Sequence, residues 1–170
     1  MIRYWRTLLA LLVFAALTGP VLAQNSAEEA FGKLKSLEGV WEGNDMEGNR
    51  SEVTYRVVSD GHAVLETIGG KEEPGMVTVY HLDGKKLMMT HYCSAGNQPR
   101  MTASALSENG ASLNFSFLDI TNLKTPSDGH MAGLKLSFLD DDHIAATWTW
   151  EKEGKKMPYK FKLERQKKDK

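Results

Sequence analysis

His91 and Cys93 stand two residues apart, so on an extended strand their side chains point to one face. An imidazole and a thiol side by side can hold a proton, a metal ion or the polar end of a ligand. The segment that follows gathers Asn97, Gln98 and Arg100. Further along, Asp119, Thr121 and Asn122 close another strand, and the connection from Thr121 to Gly129 leads into His130. With His81 and the aromatic Trp148, these residues form a candidate ligand site. A mouth lined by imidazole, thiol, amides and a guanidinium would orient a small molecule carrying a carboxylate, phosphate or carbonyl group. The competing reading has Asn97, Gln98 and Arg100 satisfying backbone groups in a tight loop, with Cys93 a buried, inert thiol.

Other chemistries find less support. Zinc would need three or four converging ligands, His91 and Cys93 joined by His81 or His130. The chain has no Cys-x-x-Cys, His-x-x-x-His or His-Glu-x-x-His spacing. It also lacks a Gly-x-Ser-x-Gly elbow, a phosphate-cradling glycine loop and a dinucleotide fingerprint. No catalytic residue, metal site or cofactor is therefore assigned. Asp140-Asp141-Asp142 reads as a solvated turn, and Trp148 with Trp150 reads as core. The lysines between Lys152 and Lys162 read as an outward row that discourages edge pairing. Asn49-Arg50-Ser51 and Asn114-Phe115-Ser116 match the glycosylation sequon.

The elements that must position these groups follow from pattern. Of 170 residues, 21 are basic and 22 acidic, which excludes the basic excess of a dedicated nucleic-acid binder. Met1–Ala23 has the parts of a secretory signal peptide. Arg3 and Arg6 precede an eleven-residue apolar core, Thr7–Leu17; Gly19-Pro20 breaks it, and Val21-Leu22-Ala23 offers small residues before Gln24. No cysteine follows, so no lipid is attached there. Cleavage would leave 147 residues with net charge −3, no integral membrane segment, and a periplasmic or secreted destination. A lone Cys93 forms no intrachain disulfide; in an oxidising compartment it is a buried thiol, an intermolecular link or a site.

Residues 24–37 read as a helix and its lead-in. Ser26 caps it, Glu28 and Glu29 sit in the first turn, Lys33 and Lys35 near its end, and Ala27, Ala30, Phe31, Leu34 and Leu37 make one apolar stripe. After Gly39 the period becomes two. About ten runs follow, near 39–44, 51–58, 62–68, 76–82, 87–93, 100–107, 112–119, 131–139, 143–151 and 156–164. Turn residues such as Asp83-Gly84, Asn109-Gly110 and Glu153-Gly154 separate them. Connections this short force antiparallel neighbours. Leu134, Leu136 and Phe138, then Ile144, Ala146, Trp148 and Trp150, alternate with polar residues, so one face is buried. The expected fold is all-β: an antiparallel up-and-down barrel over 38–165, with a frayed tail over 166–170. An open sandwich is the competing layout.

The segment Leu37-Glu38-Gly39-Val40-Trp41-Glu42-Gly43 resembles the Gly-x-Trp opening of lipocalin and other calycin barrels. It is closer still to the opening of nitrobindin-like barrels and related bacterial exported proteins of unknown function. Tyr80–Gly84 and Thr90–Met101 are similar to a motif of one such exported family. The resemblance implies that Trp41, after Gly39, closes the barrel floor with Arg165 across it. Nitrobindin-like barrels can bind haem through a late histidine, here His143, although Asn44-Asp45-Met46-Glu47 replaces their glycine-rich continuation. The expected function is binding of a small, partly apolar molecule in the interior beneath a polar rim. The alternatives are a packed barrel whose surface serves interaction or stress response, and a haem- or metal-binding barrel.

Overall fold

The computed structural model describes residues 26–69, 74–103 and 105–167. Met1–Ala23, with the leader expected there, and the last three residues of the tail lie outside them. Ser26 accepts a hydrogen bond from the Glu29 N–H at 3.1 Å and starts helix α1 (Ala27–Lys35), which buries Ala27, Ala30, Phe31 and Leu34.

Ten strands follow: β1 (Gly39–Asp45), β2 (Arg50–Val58), β3 (Ala63–Gly69), β4 (Pro74–Asp83), β5 (Lys86–Tyr92), β6 (Gln98–Ala103), β7 (Ser112–Thr121), β8 (His130–Phe138), β9 (His143–Lys152) and β10 (Lys155–Arg165). Each pairs antiparallel with its predecessor, and β1 closes on β10 from Trp41↔Arg165 to Asp45↔Phe161. The fold is therefore a closed ten-stranded barrel with one short helix before it, and the sandwich alternative is excluded. Closure removes the two sheet edges that an open meander of polar-out strands would expose. One run is shorter than the sequence pattern suggests. β6 stops at Ala103 because the chain turns over Ser107–Gly110, leaving Leu106 a single bridge to Leu113.

Period-two alternation puts Val53 and Tyr55, Val64 and Ile68, Leu87 and Met89, Leu134 and Leu136, and Ile144 and Trp148 in one interior cluster. Lys160, Lys162 and Glu164 stand on the outer face between inward Phe161 and Leu163. Among the described residues no helix is long and apolar enough to cross a membrane.

One end of the barrel is sealed. Phe31, Leu34 and Leu37 pack into it with Trp41, which is fully buried and donates its indole N–H to the Leu37 carbonyl at 2.8 Å. Arg165 lies over the Trp41 ring at 4.2 Å and donates to the carbonyls of Glu38 and Ser36 at 2.9 Å each. Gly39 makes that approach possible. Its φ of +136° is a glycine conformation, and a Cβ there would stand 3.3 Å from the Arg165 guanidinium. Just past Arg165 the Gln166 N–H still donates to the Val40 carbonyl at 2.8 Å.

Candidate functional site

The opposite end is open. Between the C-terminal halves of β5 and β9 and the N-terminal halves of β4, β8 and β10 lies a cavity of about 230 Å³. Trp148, Trp150, Tyr159 and Phe161 form one wall. Ile68, Met76 and Met131 complete the apolar lining, and His91, Cys93 and Ser94 supply the polar atoms. Tyr159 pairs with Trp148 across β9 and β10 and so faces inward, yet it is 44% exposed, with none of the described residues closing over it. A wider depression of about 630 Å³ is open to solvent and is lined by charged Glu42, Lys160 and Lys162 together with apolar Leu139, Ile144 and Phe161.

Beneath the open cavity the barrel holds a buried polar network. The Tyr55 and Tyr80 hydroxyls donate to the two oxygens of Glu66 at 2.7 Å each. The Thr78 hydroxyl lies 2.9 Å from Nδ1 of His91. All five side chains are buried, and they come from four neighbouring strands, β2 to β5. Burial raises the Glu66 pKa above the usual glutamate value, against the Tyr55 and Tyr80 hydrogen bonds that favour the carboxylate. The phenols of Tyr55 and Tyr80 are pushed well up by burial and by the neighbouring Glu66 charge. His91 is pushed down to about 4 by burial. It is therefore a neutral imidazole at physiological pH, with its ring 4.6 Å from that of Trp148. Among the described residues its Nε2 has no hydrogen-bond partner.

His91 and Cys93 do share the inward face, and Trp148 joins them. Cys93 is buried with a free thiol, and its N–H is tied to the Asn97 carbonyl at 3.1 Å. Asn97 is buried beside this group without lining the cavity, and its amide donates to the Gly129 carbonyl at 2.9 Å. The other rim candidates lie elsewhere. Arg100 alternates with inward Pro99 and Met101, so it stands outside, where it holds Asp119 through Nε at 2.6 Å and through a second, very short bond. Gln98 and Asn122 both donate to the Gly96 carbonyl, at 3.1 and 2.5 Å, and Gln98 also accepts from Thr121 at 2.8 Å. These bonds fix the loop. His81 is on the outer face between inward Tyr80 and Leu82. His130 packs on Phe117, ring centroids 5.2 Å apart, where β7 parts from β8.

No polar rim of the expected composition is thus assembled, and neither His81 nor His130 joins His91 and Cys93. Among the described residues no three His, Cys, Asp or Glu side chains gather as a metal site would require. His143 stands outside the barrel, half-exposed and hydrogen bonded to Asp140 at 2.8 Å. That position does not fit a haem held inside. Sequence reasoning missed Glu66, Tyr55, Tyr80 and Thr78. The signal was present: in Val64-Glu66-Ile68 a carboxylate occupies a slot that alternation assigns to the core.

The neutral buried histidine sets a pH dependence. Its ordinary value is 6.5 and its folded value about 4, so between these pH values the unfolded chain binds a proton that the folded chain does not. Stability should therefore fall as pH drops from 6.5 toward 4, by up to about 3 kcal/mol, and level off below. Glu66, whose folded value is raised, acts with the opposite sign by taking up its proton earlier in the folded state. Urea unfolding of wild type and His91→Gln across this range separates the two. The wild type is expected to lose more stability than the variant, and parallel pH profiles would contradict a buried neutral His91.

No protein-family model matches the chain, and no curated protein does. Among solved structures it is similar to a redesigned β-barrel, 9% identical in sequence, over 79% of this chain and 95% of that one, with a TM-score of 0.34.

Proposed function

We propose that this protein is an exported, lipocalin-like binding barrel that holds a small, mainly apolar molecule at its open end. The signal-peptide pattern of Met1–Ala23 supports export to the periplasm or beyond. The Gly39-x-Trp41 opening, with Arg165 packed across Trp41, supports the lipocalin-like assignment. The observation that carries the binding reading is the cavity itself. One end of the barrel is plugged by α1 and Trp41, whereas the other leaves about 230 Å³ lined by Trp148, Trp150, Tyr159 and Phe161 together with His91, Cys93 and Ser94. Clefts for drug-sized ligands start at roughly 300 Å³, so the occupant is smaller than those. Burying an apolar ligand against such a wall yields roughly 25 cal/mol per Å² removed from water.

Native mass spectrometry of the protein purified from the compartment to which it is exported tests this. The expected spectrum shows a stoichiometric adduct that is released on unfolding. A clean apo mass, together with no binding of added small apolar molecules, would instead favour a barrel that acts through its surface.

A further inference from the structure

We infer that the β4–β5 wall of the cavity is a site for a soft monovalent metal ion, Cu(I) or its analogue Ag(I), held by the Met76 thioether, the Cys93 thiolate and Nε2 of His91. The register brings these donors together. Val77 pairs with Tyr92 and Thr78 with His91, so one step further along the ladder Met76 stands opposite Cys93. Alternation then turns Met76 and Thr78 of β4 to the interior beside His91 and Cys93. Met76, His91 and Cys93 all line the cavity. Directly opposed residues on such a face have Cβ atoms about 5 Å apart, and diagonal ones about 7–8 Å. An ion between them is within reach of all three side chains. Met131 lines the same cavity from β8 and offers a further thioether.

His91 gives an independent sign of a missing occupant. It is 1% exposed, and among the described residues its Nε2 is without a hydrogen-bond partner. Natural proteins leave few such atoms. Thr78 does not prevent ligation, because a hydroxyl accepts a hydrogen as well as it donates one. The neutral ring can therefore carry its proton on Nδ1, toward Thr78 Oγ1 at 2.9 Å, and present a lone pair at Nε2. Donor softness and charge choose the metal. Zinc needs a third His, Cys or carboxylate, and no such group of three is present among the described residues. Thioether sulfur suits Cu(I) instead. On binding, the Cys93 S–H bond breaks, its proton leaves to solvent, and the sulfur gives its electron pair to the ion. The thiolate so formed balances one positive charge. No carboxylate lines this cavity, and Trp148, Trp150, Tyr159 and Phe161 do, so a divalent ion would keep an unbalanced charge in apolar surroundings. The site uses one wall of the cavity and does not depend on the apolar ligand proposed above.

Native mass spectrometry of the full exported protein, reduced with a phosphine and titrated with Ag(I), is expected to show a single bound ion with loss of a single proton. Competition for Cu(I) against a coloured chelator then measures affinity. Met76→Leu/Met131→Leu, which conserves volume, should weaken binding about tenfold or more, whereas Met46→Leu at an exposed methionine should change nothing. No bound ion would overturn the site. Equal affinity of wild type and the double variant would overturn it too, marking Cys93 as a lone reactive thiol. Should the double variant not fold, X-ray absorption of the Cu(I)-loaded wild type decides the matter. A nitrogen neighbour beside at least two sulfurs is expected, and a shell without nitrogen or with a single sulfur would overturn the assignment. Uptake of small apolar molecules without any soft ion would sink the metal site and leave the apolar-ligand reading standing.

Discussion

Trp41→Ala is expected to lower the free energy of unfolding by about 3–5 kcal/mol, the range for removing a large aromatic side chain from a core. The indole is fully buried between the α1 plug and the strands, so its loss leaves a cavity at the sealed end that the closed sheet cannot collapse around. It also leaves the Leu37 carbonyl without its donor and the Arg165 guanidinium without the ring beneath it. Arg165→Lys separates these contributions. A lysine carries charge but cannot span the carbonyls of Ser36 and Glu38 with one planar fork, so it should cost less than the tryptophan change yet more than an exposed substitution. Urea denaturation measures both. A Trp41→Ala cost below about 1 kcal/mol, typical of a surface change, would show that the plug is not packed as described.

Glu66→Leu should cost roughly 2–6 kcal/mol. Two phenols lose their common acceptor, and each buried polar group left unpaired costs about 1–3 kcal/mol. Leucine adds apolar volume at a position surrounded by core, which offsets part of this, whereas Glu66→Gln keeps one acceptor oxygen and should be milder. The ordering, leucine worse than glutamine, is the informative result. If leucine were neutral or stabilising, the network would be dispensable for folding, as some buried polar clusters are.

The architecture was largely legible because a closed meander writes itself locally. Short turns dictate antiparallel neighbours, and runs such as Leu134, Leu136 and Phe138 display the inward face without any knowledge of partners. The helix was equally plain from Ser26 and its spaced apolar residues. The site was legible only where it obeyed the same alternation, at His91, Cys93 and Trp148. Arg100 was misplaced because its position next to a loop outweighed its register. Met101 is inward, so Arg100 faces out, and the bulge between them lets it reach Asp119. Gln98 and Asn122 were drawn together by the loop itself, both serving the Gly96 carbonyl. The Glu66 network was missed for a different reason. Its members come from β2, β3, β4 and β5, and only the pairing Tyr55↔Glu66 and the cross-strand neighbours Thr78↔His91 bring them within bonding distance. Such convergence depends on register, which a period-two pattern leaves undetermined until turn geometry and the closed sheet fix it.

An interior open at one end and occupied by a small molecule can be seen directly in a crystal structure of the protein purified from cells that export it. The expected map shows density for one flat molecule between Trp148 and Tyr159. A map in which Trp150 and Tyr159 fold inward and fill the space themselves would contradict a binding barrel.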